Sequence, residues 1–260
     1  MTNDKSILKE IPPNHEAYSS LVSKPINQLV VVSFLLLIYH VGSIFTKDSL
    51  AVPKMLEMVV LWFGGTAKYL IAFFVVAVLL GQHIMHKDKF RPNGWAILAI
   101  VIEGAVLTLP VVVISWITGG KWMVNAQAEI QQVVENTSDI LPVYAEILKS
   151  IGAGVYEEFL FRLVFISAGS LFLMDLIKID KISSALILVS LSAILFSASH
   201  FQIEQIKALD FESFDRLLFL ALAGAWWGIL FIWRGFGVAV CSHICWDLIC
   251  VYYSTRHFAN

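Results

Sequence analysis

Long apolar runs separated by short charged segments set the pattern of this chain. About 20 apolar residues cross a bilayer as a helix, so the gaps between charges predict the spans. They run Pro25 to Thr46, Tyr69 to His86, Pro92 to Gly120, Ser150 to Met174, Ile182 to Phe201, Leu217 to Trp233 and Gly235 to Thr255. Without water, every backbone group must be satisfied within the segment, which leaves helices or a closed barrel. Runs this long, with little alternation, predict helices. The expected fold is an all-α, polytopic membrane bundle of about seven helices, with six to eight as the range.

Between the spans lie three less regular stretches. Met58 to Ala67 is apolar but short and interrupted by Gly64 and Gly65. Lys121 to Lys149 is acidic, and Gln202 to Arg216 is amphipathic. Either of the last two suits a lid or a surface helix, although a solvated connection is the commoner case. Residues 1–24 read as a polar N-terminal segment. Residues 25–149 read as the first helices with the acidic loop, and 150–255 as the core that carries the chemistry.

Composition agrees with a membrane protein. The 260 residues are 58% hydrophobic and 15% charged, against roughly 25% charged in a soluble domain. The net charge of −2 gives no basic surplus for nucleic acid. The first apolar run is too long for the core of a signal peptide, so it reads as a retained helix. With the N-terminus in the cytoplasm, nine basic residues lie inside and eight outside. The tight loop Lys87-Asp88-Lys89-Phe90-Arg91 favours that orientation. Cys241 and Cys245 are four apart on one helix and read as packing residues rather than a disulfide, as does Cys250.

The costly residues narrow the function. An ionised side chain at a span centre costs ~2.5–3.5 kcal/mol on insertion scales, yet Glu157, Glu158, Arg162 and Asp247 lie in spans, with His200 and His243 beside them. Glu158 and Arg162 are four apart and can pair on one face. Glu157 is about 100° further round the helix and points elsewhere. His243 and Asp247 also share a face. If three helices converge, Glu157, His200, His243 and Asp247 line one polar pocket. Peptide hydrolysis suits it: a carboxylate as general base, an imidazole to hold the water, and a donor for the oxyanion. Ser197, Ser199 and Ser242 lie near the histidines, but none of the three sits in a G-x-S-x-G or S-x-x-K signature, and no H-E-x-x-H is present.

The depths of the two histidines differ in this reading. His200 falls at the outer end of its span and His243 about a third of the way in from the inner side. Tilt or an offset span boundary must bring them level. The remaining features read as structural: Glu103 as a packing or cavity residue, His40, His83 and His86 as interfacial, and Trp226, Trp227 and Trp233 as packing and belt residues. Gly224 and Gly228 form a small-xxx-small face that lets helices approach closely.

Three motifs carry a resemblance. Glu157-Glu158-Phe159-Leu160-Phe161-Arg162 fits E-E-x-x-x-R, Phe196-Ser197-Ala198-Ser199-His200 fits F-x-x-x-H, and His243-Ile244-Cys245-Trp246-Asp247 fits H-x-x-x-N/D. In this order, on successive apolar helices, they resemble the CPBP family of intramembrane proteases, which includes the CAAX prenyl endopeptidases and bacteriocin-processing and immunity proteins. The resemblance implies that Glu157 activates water with help from His200, and that His243 and Asp247 form the oxyanion side. Glu158, Arg162 and Phe196 would be structural or substrate-orienting. Asp247 departs from the asparagine of the CAAX endopeptidases. Glu157, His200, His243 and Asp247 are also acceptable zinc ligands, so a divalent metal and a glutamate-activated water both stay open. The implied partners are membrane lipid and a membrane-associated or prenylated protein or peptide. The alternatives are an inactive scaffold or immunity protein of the same fold, and a small proton-coupled transporter. Three intact motifs favour the protease.

Overall fold

The computed structural model describes residues 18–45, 67–87, 89–118, 141–201 and 211–256. Among these there is no strand; every regular element is a helix. The helices are α1 (Tyr18–Ser23), α2 (Pro25–Phe45), α3 (Ala67–Met85), α4 (Gly94–Val106) and α5 (Leu109–Ile117). A continuous helical run follows: α6 (Leu141–Glu158), a π-helical turn π1 (Phe159–Val164), α7 (Phe165–Ser170) and a second such turn π2 (Leu171–Leu176). It is succeeded by α8 (Lys181–Ser199), α9 (Phe211–Arg234) and α10 (Phe236–Arg256). Six of these stretches are long and apolar enough to cross a membrane, and α3 is a shorter apolar helix. The protein is therefore an integral, multi-pass membrane bundle.

Several boundaries differ from the sequence reading. The fourth span begins at Leu141 rather than Ser150, because Pro142 suits the first turn of a helix and apolar residues from Val143 onward pack on α2. The sixth begins at Phe211 rather than Leu217. The end of each expected loop is thus helix. Residues 58–66, 121–140 and 202–210 lie outside the described part. The third span is broken at Leu107–Thr108. Pro110 has no N–H to continue the ladder, and the Val111 N–H turns back to the Thr108 carbonyl. The freed Leu107 carbonyl accepts the Trp226 indole N–H at 2.8 Å. The Thr108 hydroxyl reaches the Ser242 carbonyl on α10 at 3.1 Å. A break in a membrane helix survives where neighbours satisfy the released groups in this way.

α10 is the central helix: 61% of its apolar window is buried, against 22% for α4 and α5 together. It packs on α2, α4, α6, α9 and π1. One core, including Val32, Tyr39, Val155, Phe236 and Val240, joins α2, α6 and α10. A second, including Phe161, Phe196, Phe219, Trp227 and Trp246, joins π1, α8, α9 and α10. Gly224 and Gly228 lie against Ala193, Phe196 and Val189, so the small-residue face of α9 meets α8.

Polar side chains pin the helix ends. Buried Asn27 donates to the Leu21 carbonyl at 2.7 Å and accepts the Asn93 N–H at 2.8 Å, while Asn93 caps α4. Gln28 accepts the Gly237 N–H at 3.2 Å, tying α2 to the start of α10. Asp180 caps α8, and hydrogen bonds from the Ser183 side chain and backbone hold its carboxyl below its ordinary range. Glu103 is neither a packing residue nor a bare cavity group. It forms an ion pair with Arg234 and accepts the Tyr18 hydroxyl at 3.1 Å, joining α1, α4 and α9.

The turn between α9 and α10 is a single residue, Gly235, at φ 96°. Its N–H bonds the Leu230 and Phe231 carbonyls, a left-handed helix cap that glycine adopts without a Cβ penalty. A Cβ there would meet the Gln28 side chain. Gly235→Ala is expected to destabilise the protein by about 1–3 kcal/mol, read as an earlier denaturation midpoint in detergent. An unchanged midpoint would show that the turn relaxes freely.

Candidate active site

The site begins with the run α6–π1. Glu157 and Glu158 are the last residues before the π turn, and Arg162 lies within it. Such turns widen a helix by one residue per turn and are frequent at functional sites. Here the Phe161 carbonyl accepts the Ser192 hydroxyl of α8 at 2.8 Å, so a neighbouring helix supplies the partner. Glu158 and Arg162 still meet, at 2.9 Å, both fully buried. Arg162 also donates to the Gly224 carbonyl at 3.0 Å and sits over the Phe196 ring, 4.6 Å from its centroid.

Glu158 has a second partner. The Nδ1–H of His243 donates to its Oε1 at 2.7 Å. That fixes the imidazole so that Nε2 points the other way, towards Glu157 Oε2 and Asp247 Oδ2, each 3.8 Å distant. His200, just past the end of α8, donates its Nδ1–H to the Phe196 carbonyl at 2.8 Å. Its Nε2 therefore faces Glu157 Oε2, again at 3.8 Å. One carboxylate oxygen thus lies equally far from two imidazole nitrogens. The separations exceed a direct hydrogen bond and can be bridged by one water.

The structure brings Glu157, His200, His243 and Asp247 together from three helical segments. The expected difference in depth between the histidines disappears, because both Nε2 atoms lie 3.8 Å from the same Glu157 oxygen. The side chains of His200 (28% exposed), Asp247 (26%) and Glu157 (14%) open to the surface, while His243 (4%) is enclosed. Phe196 fills the space between: its ring lies 4.7 Å from His200, 5.8 Å from His243 and 5.7 Å from Trp227.

Trp227 corrects the reading of the sixth helix as packing and belt alone. Its indole is stacked on His243 with centroids 4.0 Å apart and planes 9° from parallel. A signal existed: Gly224, Trp227 and Gly228 share one face of α9, so whatever the glycines approach, Trp227 approaches too. Trp226 packs, and Trp233 is exposed as a belt residue. The histidines are mixed. His86 is exposed, His40 shares a hydrogen bond with Tyr156 at 3.0 Å, and His83, in the last turn of α3, is buried against its neighbours.

The serines near the histidines bond chiefly to backbone and to neighbouring side chains, Ser199 also lying 3.4 Å from His200 Nδ1. Ser197 donates to the Leu217 carbonyl, Ser199 to the Phe196 carbonyl, and Ser242 accepts from Trp227 and Thr108. The three cysteines are free thiols. Among the described residues, no group of three or more His, Cys, Asp and Glu is arranged to hold a metal ion. Glu157, His200, His243 and Asp247 are ligand types that zinc accepts, and no step below passes through a metal.

A multi-pass helical bundle with two carboxylates and two imidazoles gathered inside it has the groups that intramembrane proteolysis needs. Residues 139–249 match the Rce1-like family, described as Type II CAAX prenyl endopeptidase Rce1-like. This segment, α6 into α10, is similar to that protease family, which bears out the resemblance to the CPBP proteases carried by the three motifs. No curated protein and no solved structure matches the chain.

Proposed function

We propose that the protein is an intramembrane endopeptidase that hydrolyses a peptide bond of a membrane-associated or lipid-modified, CAAX-like protein or peptide. The observation that carries this reading is the placing of Glu157 Oε2 at 3.8 Å from both His200 Nε2 and His243 Nε2. The Rce1-like match supports the substrate class.

In this mechanism a water sits between Glu157 and His200. The His200 lone pair at Nε2 accepts a hydrogen bond through one water proton, which stays on its oxygen, and so orients the water. Glu157 removes the other proton as the water oxygen attacks the scissile carbonyl carbon. The carbonyl π bond becomes an oxyanion, which faces His243 and Asp247. An imidazole with Nδ1–H committed to a carboxylate is well suited to carry a second proton at Nε2 and donate to that oxyanion. A carboxylate at Asp247 can donate only when protonated, so Asp247 acts in that form or assists by holding substrate. Collapse of the intermediate breaks the C–N bond, and the proton held by Glu157 passes to the leaving amine. Glu158 and Arg162 act through His243 and the surrounding packing.

The test is cleavage by purified protein in nanodiscs of a prenylated CAAX-type peptide and its unprenylated form. The reading expects cleavage of the membrane-anchored peptide, with no loss after treatment with a metal chelator. Absence of cleavage with both peptides would remove the substrate class. Loss of activity on chelation, restored by zinc, would overturn the metal-free mechanism.

A further inference from the structure

The α9 helix carries none of the three motifs, yet it touches the site more closely than its composition suggests. Trp227 is 1% exposed, and its indole covers one face of His243 at 4.0 Å. Its Nε1–H donates to the Ser242 hydroxyl at 3.3 Å. Thr108, at the break between α4 and α5, holds that same hydroxyl at 3.4 Å and the Ser242 carbonyl at 3.1 Å. The indole is therefore fixed at its edge as well as by packing against Phe196.

An imidazole held by one hydrogen bond keeps two freedoms. It can rock about that bond, and it can flip by about 180°, because the terminal torsion of histidine is broad. The Glu158 bond to Nδ1 removes the flip, since it selects which nitrogen faces the carboxylate. It does not remove the rocking, which carries Nε2 along an arc past Glu157 and Asp247. A flat surface parallel to the ring does.

We propose that Trp227 is a positioning residue of this site: its stack fixes the plane of the His243 imidazole, so that Nε2 stays level with Glu157 and Asp247. The inference rests on the proposed hydrolysis for its consequence in rate, but not for its geometry. Trp227 touches no reacting atom. It acts through His243, with Ser242 and Thr108 holding the indole in turn.

Two readouts test this in the full-length chain in nanodiscs. The first is nitrogen NMR of ¹⁵N-histidine-labelled protein, which needs no substrate. The wild type should show His243 in one ring orientation with Nδ1 protonated, its ring protons shifted upfield by the indole face. Trp227→Met should broaden that signal and abolish the shift, while Trp227→Phe should keep a narrow signal from one ring orientation. Ser242→Ala, which frees the indole edge without emptying its space, should broaden the signal less and in the same direction. It keeps the question open to measurement if Trp227→Met does not fold. An unchanged His243 signal in Trp227→Met, or in Ser242→Ala where the first is unfolded, would overturn the proposal.

The second readout is steady-state cleavage of the prenylated peptide. Trp227→Met should lower kcat by about 10–100-fold with KM little changed, as a misplacement near 1 Å does, and Trp227→Phe should restore most of it. A rise in KM at constant kcat would make Trp227 a substrate contact instead, and would also overturn the proposal. If the wild type cleaves nothing, the proposed function fails alone, and the NMR experiment still decides the role of Trp227.

Discussion

Glu157→Gln is expected to lower the rate of peptide hydrolysis by about 10²–10⁴-fold, the usual contribution of a positioned general base, while leaving the protein folded. Glutamine has nearly the shape of glutamate and can still meet a water lying between it and His200. It cannot take a proton, so only the proton transfer is removed. The fold has little stake in this residue. Glu157 makes no direct hydrogen bond to either imidazole, both lying at 3.8 Å, and its side chain is partly exposed. The variant should therefore unfold at the wild-type midpoint and bind an uncleaved peptide with wild-type affinity. The companion Glu158→Gln separates the two neighbours. Glu158 is fully buried between Arg162 and His243, so its replacement should cost stability as well as rate. Equal cleavage by Glu157→Gln and wild type would take Glu157 out of the mechanism. A rate loss accompanied by unfolding would make it structural.

Much of this arrangement is legible in the sequence, for physical reasons. A membrane span declares itself by the absence of charge over about 20 residues, so the seven apolar helices could be read from the gaps alone. Charges kept inside spans are expensive, so Glu157, Arg162 and Asp247 stand out against an apolar background. Other features depended on contacts between helices. The pairing of Glu158 with Arg162 follows from four-residue spacing, but its bond to His243 joins positions 85 residues apart, which no local pattern encodes. The break at Thr108 is hinted at by Pro110, yet its usefulness rests on Trp226 and Ser242 arriving from other helices. The fourth span starts earlier than the charge gaps imply, because Lys149 and Glu146 have the composition of a loop yet lie within α6. They form an ion pair at 2.7 Å along α6, a helical turn written in charged residues. Trp227 was read as packing because an aromatic in a membrane helix usually is; only the stacked histidine distinguishes it.

Arg162 is expected to carry the largest share of stability of any charged residue in the bundle. It is fully buried and has three kinds of support: the Glu158 carboxylate at 2.9 Å, the Gly224 carbonyl at 3.0 Å and the face of Phe196 at 4.6 Å. Arg162→Met removes one charge of a buried pair and leaves the other behind. Breaking such a pair typically costs about 3–5 kcal/mol, because the remaining ion stays desolvated without its counter-charge. His243 offsets part of this by its bond to Glu158, while the Gly224 carbonyl, an acceptor within α9 already, loses only its second donor. Arg162→Lys should recover only a minority of the loss, since an ammonium cannot reach the carboxylate, the carbonyl and the aromatic face in one plane. The informative variant is the double replacement Glu158→Leu with Arg162→Met. With both charges gone no ion is stranded, so the double variant should unfold later than Arg162→Met alone although it lacks one more native contact. Denaturation midpoints in one detergent, with helical content as a check on folding, measure all three. If Arg162→Met is as stable as the wild type, the pair is not what holds π1 against α9. If the double variant falls below Arg162→Met, the cost lies in lost packing and hydrogen bonds rather than in a stranded carboxylate.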